Sequence, residues 1–506
     1  MGAYDRTMRL SANKLSWQCD PKTLIAAWPE YWPLALANFA HRDCVDAHAD
    51  AHRQHSSSKV TVIARPQGRY CCMPDHKTTS CPLWSSYDDS QPPFQPNDLT
   101  GQPLDDLDLL LSWTAVPPIN DPQTSPFLGG WIASIGYELC SQLEPTVTPR
   151  PISPDRAHWP LLEMLWCPTA FVHDADRDQW WAVGHWTESE LETLMNAMAL
   201  GENVGEQSIQ CVSTNALISE NAYVEKIDDV LDYIAAGDVF QVNLTQQFET
   251  TVTGSPRQLA TRVACEPQAH FGAYLELGAQ DGDTNARRWL ASLSPELFLS
   301  FNPQTREVKT RPIKGTLAAN QPAQTLLDSE KDKAELHMII DLMRNDLGRV
   351  CTFGSITVSR DRWIETYPTV HHAIGEVTGV LKQGVQPGSL LKATFPPGSV
   401  TGAPKVRAMQ IIRDLEPQPR GPYCGAIGLF GNDGSIELNV SIRTLWAYDE
   451  SNTLGNPIQA KMYYGAGGGI VADSNPQAEY KESLQKMAVV EDLLTLPTPQ
   501  TNPVTV

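Results

Sequence analysis

The chain is poor in positive charge. Its 38 Lys and Arg stand against 59 Asp and Glu, a formal net charge of −21. A nucleic-acid binder carries a basic footprint, so no nucleic-acid partner is expected. An anionic substrate would need a local cationic patch, or a metal, set against the overall field. The 11 cysteines form no C-x-x-C pair and keep no regular spacing. That excludes a disulfide framework and favours reduced thiols in a cytoplasmic setting. No run of about 18 apolar residues occurs, so no membrane span is expected. The opening "MGAYDRTMRLSANKLSWQCD" has no apolar secretory region, and "MGAYDR" departs from the myristoylation pattern at its sixth position. There is no G-x-x-x-x-G-K-[ST] loop, and no G-x-G-x-x-G set in a βαβ unit.

What is present is ample apolar material, 41% of 506 residues, and no internal repeat. Residues 87–107 are rich in Pro, Asp and Gln and read as an exposed loop. Residues 201–215 are polar and read as a linker. The division expected is an N-terminal portion, 1–200, a C-terminal portion, 216–495, and a flexible tail, 496–506. "AELHMIIDLMRNDLG" has helical periodicity and stops at Gly348. "ASLSPELFLSF" and "SIELNVSIRTLWAY" read as strands. "DSNPQAEYKESLQKMAVVEDLL" opens on Asn-Pro, a cap followed by a first-turn proline, and runs on as a helix. Long strands and helices without a βαβ rhythm point to an α+β fold.

On that last helix Glu479, Glu482 and Lys486 share one face. Two carboxylates a turn apart suit a hard cation such as Mg²⁺, and a Lys beyond them suits a substrate carboxylate. A solvated Glu/Lys face is the plain alternative. "YYGAGGGIVAD" permits close backbone approach to an anion, or simply a hairpin turn. Glu335 lies on a stripe with Ile339, Leu342 and Asp346, so it must be paired, protonated or metal-bound if buried; a dipole-favoured Glu near the helix start is equally open. Glu296 is unusual inside an apolar strand, where burial would raise its pKa; a strand-edge charge is the plain alternative. His371 and His372 would face opposite sides of a strand, one in and one out. Lys314, between Ile313 and Gly315 in "KTRPIKGTLAA", becomes a nucleophile only if desolvated or set beside other cations, and an ordinary surface charge is the plain alternative. Cys44, His48, His52 and His55 mimic a metal site but lack a second ligand group at a recognised spacing. Cys424 reads as a small core residue.

Taken in order, "AGDVFQVNLTQQF", "SLSPELF", "TRPIKGTL", "KDKAELHMIIDLMRNDLGRV", "YPTVHHAIGEVTG", "FPPGSVTGAPKVRAMQII", "GPYCGAIG", "SIRTLW" and "GAGGGIVADSNPQAEYKESLQK" resemble the chorismate-utilising enzymes. The resemblance covers roughly residues 220–490, and "PFLGGWIASIGYEL" resembles the N-terminal domain of the aminating members. It implies an anthranilate-synthase-type fold, two antiparallel sheets packed together with helices outside. Members that form anthranilate carry Ala in the "PI-x-GT" turn. A Lys there, with "FQVNL", resembles the branch that forms 4-amino-4-deoxychorismate, precursor of 4-aminobenzoate and folate, from chorismate and ammonia. The resemblance implies that Lys314 attacks C2 of the ring, Glu296 is the general acid/base and His372 the active-site histidine, with His371 its outward neighbour. It also implies Mg²⁺ on Glu335 and Glu482 with Glu479 beside them. Substrate carboxylates would meet Arg443, Lys486, Tyr423 and the N–H groups of Gly467, Gly468 and Gly469, with Ser399 and Thr401 as weaker contacts. A separate glutamine amidotransferase subunit would supply ammonia. The rivals are an anthranilate synthase, an isochorismate or salicylate synthase, and a non-catalytic scaffold. The N-terminal portion lacks an "LLES"-like tryptophan motif; "DCVDAHADAH" stands roughly in its place.

Overall fold

The computed structural model describes residues 11–40, 59–74, 78–81, 98–117, 124–149, 159–200, 209–266, 269–277, 287–449 and 459–495. The tail and the His48–His55 tract lie outside them. Among the described residues the strands form two large sheets, 12-stranded and 11-stranded, and every pairing is antiparallel. Helices cover their outer faces, so the α+β architecture is as expected. No described helix is long and apolar enough to cross a membrane.

The N-terminal and C-terminal portions do not build separate sheets. Strand Ala35–Ala40 pairs with Ala273–Leu277 in one sheet, and Gly130–Ile135 pairs with Ala426–Gly431 in the other. Each sheet therefore combines N-terminal and C-terminal strands, five with seven in the larger and four with seven in the smaller, joined through one strand pair. The junction strand "GWIASI" is buried along its whole length, as a strand covered on both faces must be. Gly425 sits at that seam. A β-carbon there would lie 2.0 Å from the Ile135 carbonyl oxygen, so only glycine lets the chains meet.

Residues 210–215, read above as the end of a linker, instead belong to the edge strand Gln210–Ala216, paired with Gln241–Thr253. Residues 103–107, taken as loop, open the helix Pro103–Thr114; Pro103 at its first turn is compatible with that start. The helix Glu330–Gly348 begins where Ser329 accepts the Asp332 N–H, a side-chain N-cap. It buries Leu336, Ile339, Ile340, Met343 and Leu347, the i, i+3, i+4 stripe that its sequence spells. The last helix, Pro476–Thr495, starts where Asn475 accepts the Ala478 N–H.

One buried ion cluster ties the sheets together. Glu163, fully buried, accepts from Arg69 Nε at 2.6 Å within its own sheet and from Arg288 Nη2 at 2.9 Å across from the other. Breaking such a cluster strands buried charge. Glu163→Ala is expected to cost about 3–5 kcal/mol of unfolding free energy, read from the denaturant midpoint; a change under about 1 kcal/mol would show that water reaches the two guanidiniums.

Candidate active site

Lys314 owes its position to a β-bulge. Its strand, Ile313–Ala318, pairs with the histidine strand Val370–Val380, and the register slips between Ile313 and Thr316. A bulge re-aims a side chain that regular alternation would place elsewhere. Gly315 makes it possible: its φ is +91°, and a β-carbon would lie 2.8 Å from Leu326 and 3.0 Å from Asp332. The Lys314 amine then sits 3.9 Å from Glu335 Oε2, its side chain only 13% exposed. Burial pulls its pKa below the ordinary lysine value; Glu335 opposes this and Lys486 reinforces it.

Opposite Lys314 runs the strand Gln459–Ile470. Its glycines lie at the end of a long strand, not in a turn. One edge pairs with Gln241–Thr253 along its full length, while on the other edge the strand Thr444–Asp449 reaches only to Tyr464. Beyond Tyr464 that second edge has no neighbouring strand among the described residues, so alternate N–H groups of Gly467–Gly469 face away from the ladder, toward an anion. A β-carbon at Gly469 would lie 3.2 Å from Lys314 Nζ. One at Gly468 would lie 3.2 Å from Glu479, 3.8 Å from Glu482 and 3.8 Å from Lys486. The three residues on one face of the last helix therefore converge on Gly468. Lys486 pairs with Glu482 at 2.8 Å and donates to the Gly467 carbonyl at 2.7 Å. Burial would raise the pKa of Glu482, but Lys486 and the lysines beyond it bring it below the usual carboxylate value. Glu479 accepts from Ser474 Oγ at 2.7 Å.

Glu296 lies outside the regular strand, on the buried connection just before Leu297–Phe301. Burial pushes its carboxyl up to about 7, against the opposing pull of Ser399, Lys314 and the Ile313 N–H. His372 pairs in register with Thr316, and its Nδ1 lies 2.9 Å from that hydroxyl. Its Nε2 is buried without a partner among the described residues. Burial first, then Arg443, lowers its pKa to about 3, so the ring is neutral. His371 faces the other way, as strand alternation requires, but is buried too: Nδ1 meets Thr366 at 2.9 Å and Nε2 meets the Gln321 carbonyl at 3.1 Å. The expectation of one outward histidine fails because the Gln321 segment packs over that face.

Arg443 adopts φ +50° between two strands, and burial lowers its pKa against the pull of Tyr464. Tyr423 is buried against Gly465, where a β-carbon would lie 2.3 Å from its ring. Ser399 and Thr401 stand on one short turn, but the Thr401 hydroxyl donates to the Pro397 and Gly398 carbonyls rather than outward. Asp346, on the Glu335 stripe, is spent on Lys405 and Arg349. Cys424 is buried with its thiol raised to about 12, an inert core residue.

Gln241 was not anticipated. It is fully buried, and neither amide atom has a partner among the described residues. A β-carbon at Gly469 would lie 2.8 Å from its Nε2 and 3.2 Å from Lys314. An unpaired buried amide beside a desolvated amine marks a place where a ligand completes the hydrogen bonding. The only signal in the sequence was an amide inside the strand-like "FQVNL".

Glu335, Glu479 and Glu482 supply the oxygen donors a hard cation takes. Among the described residues no three His, Cys, Asp or Glu side chains close into a metal-sized cluster. Mg²⁺ needs one or two carboxylates and keeps several waters, so an open set of this kind fits it. Burial holds the Glu335 carboxyl above its ordinary pKa, against the pull of Lys314.

The family model described as chorismate binding enzyme matches residues 83–492. This chain belongs to the chorismate binding enzymes. Among its relatives is aminodeoxychorismate synthase component 1 of Salmonella typhimurium, 37% identical, covering 76% of this chain and 81% of the relative. Its Escherichia coli counterpart is 34% identical over 77% and 82%. Anthranilate synthase component 1 of Synechocystis is 32% identical over 76% and 80%. Anthranilate synthase component I from Streptococcus pneumoniae shares the fold, with a TM-score of 0.67 at 24% identity, covering 90% of this chain and 99% of that one. The chorismate binding enzymes thus include members with two different aminated products in their names.

A carboxyl that ionises near 7 when folded and near 4.5 when unfolded makes folding less favourable as pH rises from about 4.5 to about 7. The contribution is absent below that window and constant above it. Glu296→Gln removes it. The stability of the variant relative to the parent is expected to climb by about 3 kcal/mol across that window, measured by denaturant unfolding at pH 5 and pH 8. A flat difference would mean that Glu296 ionises normally.

Proposed function

We propose that this chorismate binding enzyme converts chorismate and ammonia to 4-amino-4-deoxychorismate. The observation that carries the reading is the desolvated Lys314 amine beside Glu335, Gln241 and Gly469. An amine becomes nucleophilic when burial depletes its protonated form. It adds at C2 of the ring. The two ring double bonds each shift by one position, and the C4 hydroxyl leaves as water with a proton from Glu296. A carboxyl poised near 7 serves both to donate that proton and to take one back. Ammonia then adds at C4, the double bonds return, and the lysine amine departs. The extra ammonium proton passes to Glu296, which restores the starting state.

The remaining groups bind and orient. Arg443 and Tyr423, with the Gly467–Gly469 edge and Lys486, receive the two substrate carboxylates. They supply locally the positive field that a chain of net charge −21 lacks overall. Neutral His372 hydrogen-bonds without adding charge. Mg²⁺ on Glu335, Glu479 and Glu482 would neutralise a substrate carboxylate. The relatives' name "component 1" supports a partner subunit; we assign it as a glutamine amidotransferase, with free ammonium able to replace it. The product would serve 4-aminobenzoate and folate synthesis in the cytoplasm.

The test is product analysis. Purified chain, chorismate, Mg²⁺ and ammonium, followed by an aminodeoxychorismate lyase, should yield 4-aminobenzoate. Lys314→Ala should lose at least about 10²-fold of that activity. A 2-aminobenzoate product from the parent would make Lys314 a bystander and the chain an anthranilate synthase. Chorismate consumption should also stop with EDTA and return with Mg²⁺; turnover that persists through chelation would remove the metal from the scheme.

A further inference from the structure

A second cavity, of about 90 Å³, lies where the segment 137–149 packs on the helix Lys405–Leu415 and the residues that follow it. None of the active-site residues above lines it. Its wall is mainly apolar: Val147, Leu161, Met409 and Ile412. Two polar features stand out. The Tyr137 hydroxyl is buried and has no hydrogen-bond partner among the described residues, while its ring lies 4.5 Å under the Arg420 guanidinium. A buried hydroxyl left unpaired is a standing cost that a ligand can relieve. At the rim, half-buried Arg413 is held by its Nε–H to the Thr148 carbonyl at 3.1 Å. Its Nη1 also lies 4.0 Å from the exposed Asp414 carboxylate, a long, solvent-screened contact that a ligand carboxylate would replace.

The floor of the cavity is an ion pair that also holds the active-site backbone. Glu416 and Arg420, both buried, meet at 2.6 Å. Arg420 donates to the Val400 carbonyl at 2.8 Å and to the Asn243 carbonyl at 2.6 Å. Glu416 accepts from Thr245 N and Oγ1, each at 2.9 Å. Val400 is flanked by Ser399 and Thr401. Asn243 and Thr245 stand in register with Gly469 and Gly467. A group that shifts Arg420 therefore shifts both the turn facing Glu296 and the strand backing the glycine edge.

We infer that this cavity is a regulatory site for a small aromatic carboxylate. The ring lies among Met409, Ile412, Leu161 and Val147, the carboxylate meets Arg413, and a second polar substituent meets the Tyr137 hydroxyl. Coupling of this kind is reciprocal: what the ligand does to chorismate binding, chorismate does to the ligand.

The probe is 3-bromo-4-hydroxybenzoate. In crystals grown with it, the anomalous signal of bromine is expected between residues 137–149 and the helix Lys405–Leu415. In calorimetry Arg413→Ala is expected to weaken binding about tenfold, and Met409→Phe to fill the space and abolish it. Saturating probe should change the maximal rate of chorismate consumption at least twofold, and added chorismate should not reverse the change. Arg413→Ala, on the rim, should keep the unprobed rate. A bromine signal only at the active site overturns the inference. So does inhibition that chorismate reverses and both variants retain, or binding in the cavity with no effect on rate. The kinetic arm rests on the chorismate reading; the crystal and calorimetric arms do not. Absent chorismate turnover together with a bromine signal in the cavity would therefore refute that reading and leave the binding site standing.

Discussion

The site depends on taking one ammonium group out of water. A lysine in a buried bulge is unfavourable unless its charge is matched or surrendered. Here the match is partial: Glu335 lies at 3.9 Å, beyond hydrogen-bond range. Glu335 is itself held back from ionising by burial. Burial moves both groups toward their uncharged forms, Lys314 downward and Glu335 upward, and each pulls the other back. The Gln241 amide and His372 Nε2 add buried hydrogen-bonding atoms with no partner among the described residues.

Everything that holds Lys314 there is structural in the ordinary sense. Gly315 permits the bulge, and Leu326 and Asp332 crowd it so that no larger residue fits. The glycine strand lies opposite because Gln241–Thr253 pairs with it over its whole length. The last helix then carries Glu479, Glu482 and Lys486 to Gly468. Precision comes from rigid sheets; openness comes from the point where one strand stops at Tyr464 and its neighbour continues.

Local features of this arrangement were legible in the sequence. The helix Glu330–Gly348 is written in its apolar stripe, and the shared face of Glu479, Glu482 and Lys486 follows from helical spacing alone. The long-range features were not. Nothing local to Lys314 announces a register slip, because the slip is defined by the partner strand. The burial of His371 depends on a segment fifty residues away in sequence, at Gln321. Glu296 reads as strand because its neighbours are apolar, yet it sits just outside the ladder. The joining of N-terminal and C-terminal strands into common sheets is invisible to any reading that divides the chain by composition.

That joining has a consequence for how the protein could be taken apart. Cut between its two portions, the chain would yield two pieces, each with an open edge on both of its half-sheets: Ala35–Ala40 and Gly130–Ile135 on one, Ala273–Leu277 and Ala426–Gly431 on the other. Open edges of this length invite pairing with whatever strand is nearest. Alone, each piece is an aggregation hazard. Together, each offers the template the other lacks, so co-expressed halves are natural candidates for a split enzyme that assembles on contact and reports, by regained activity, that its two parts have met.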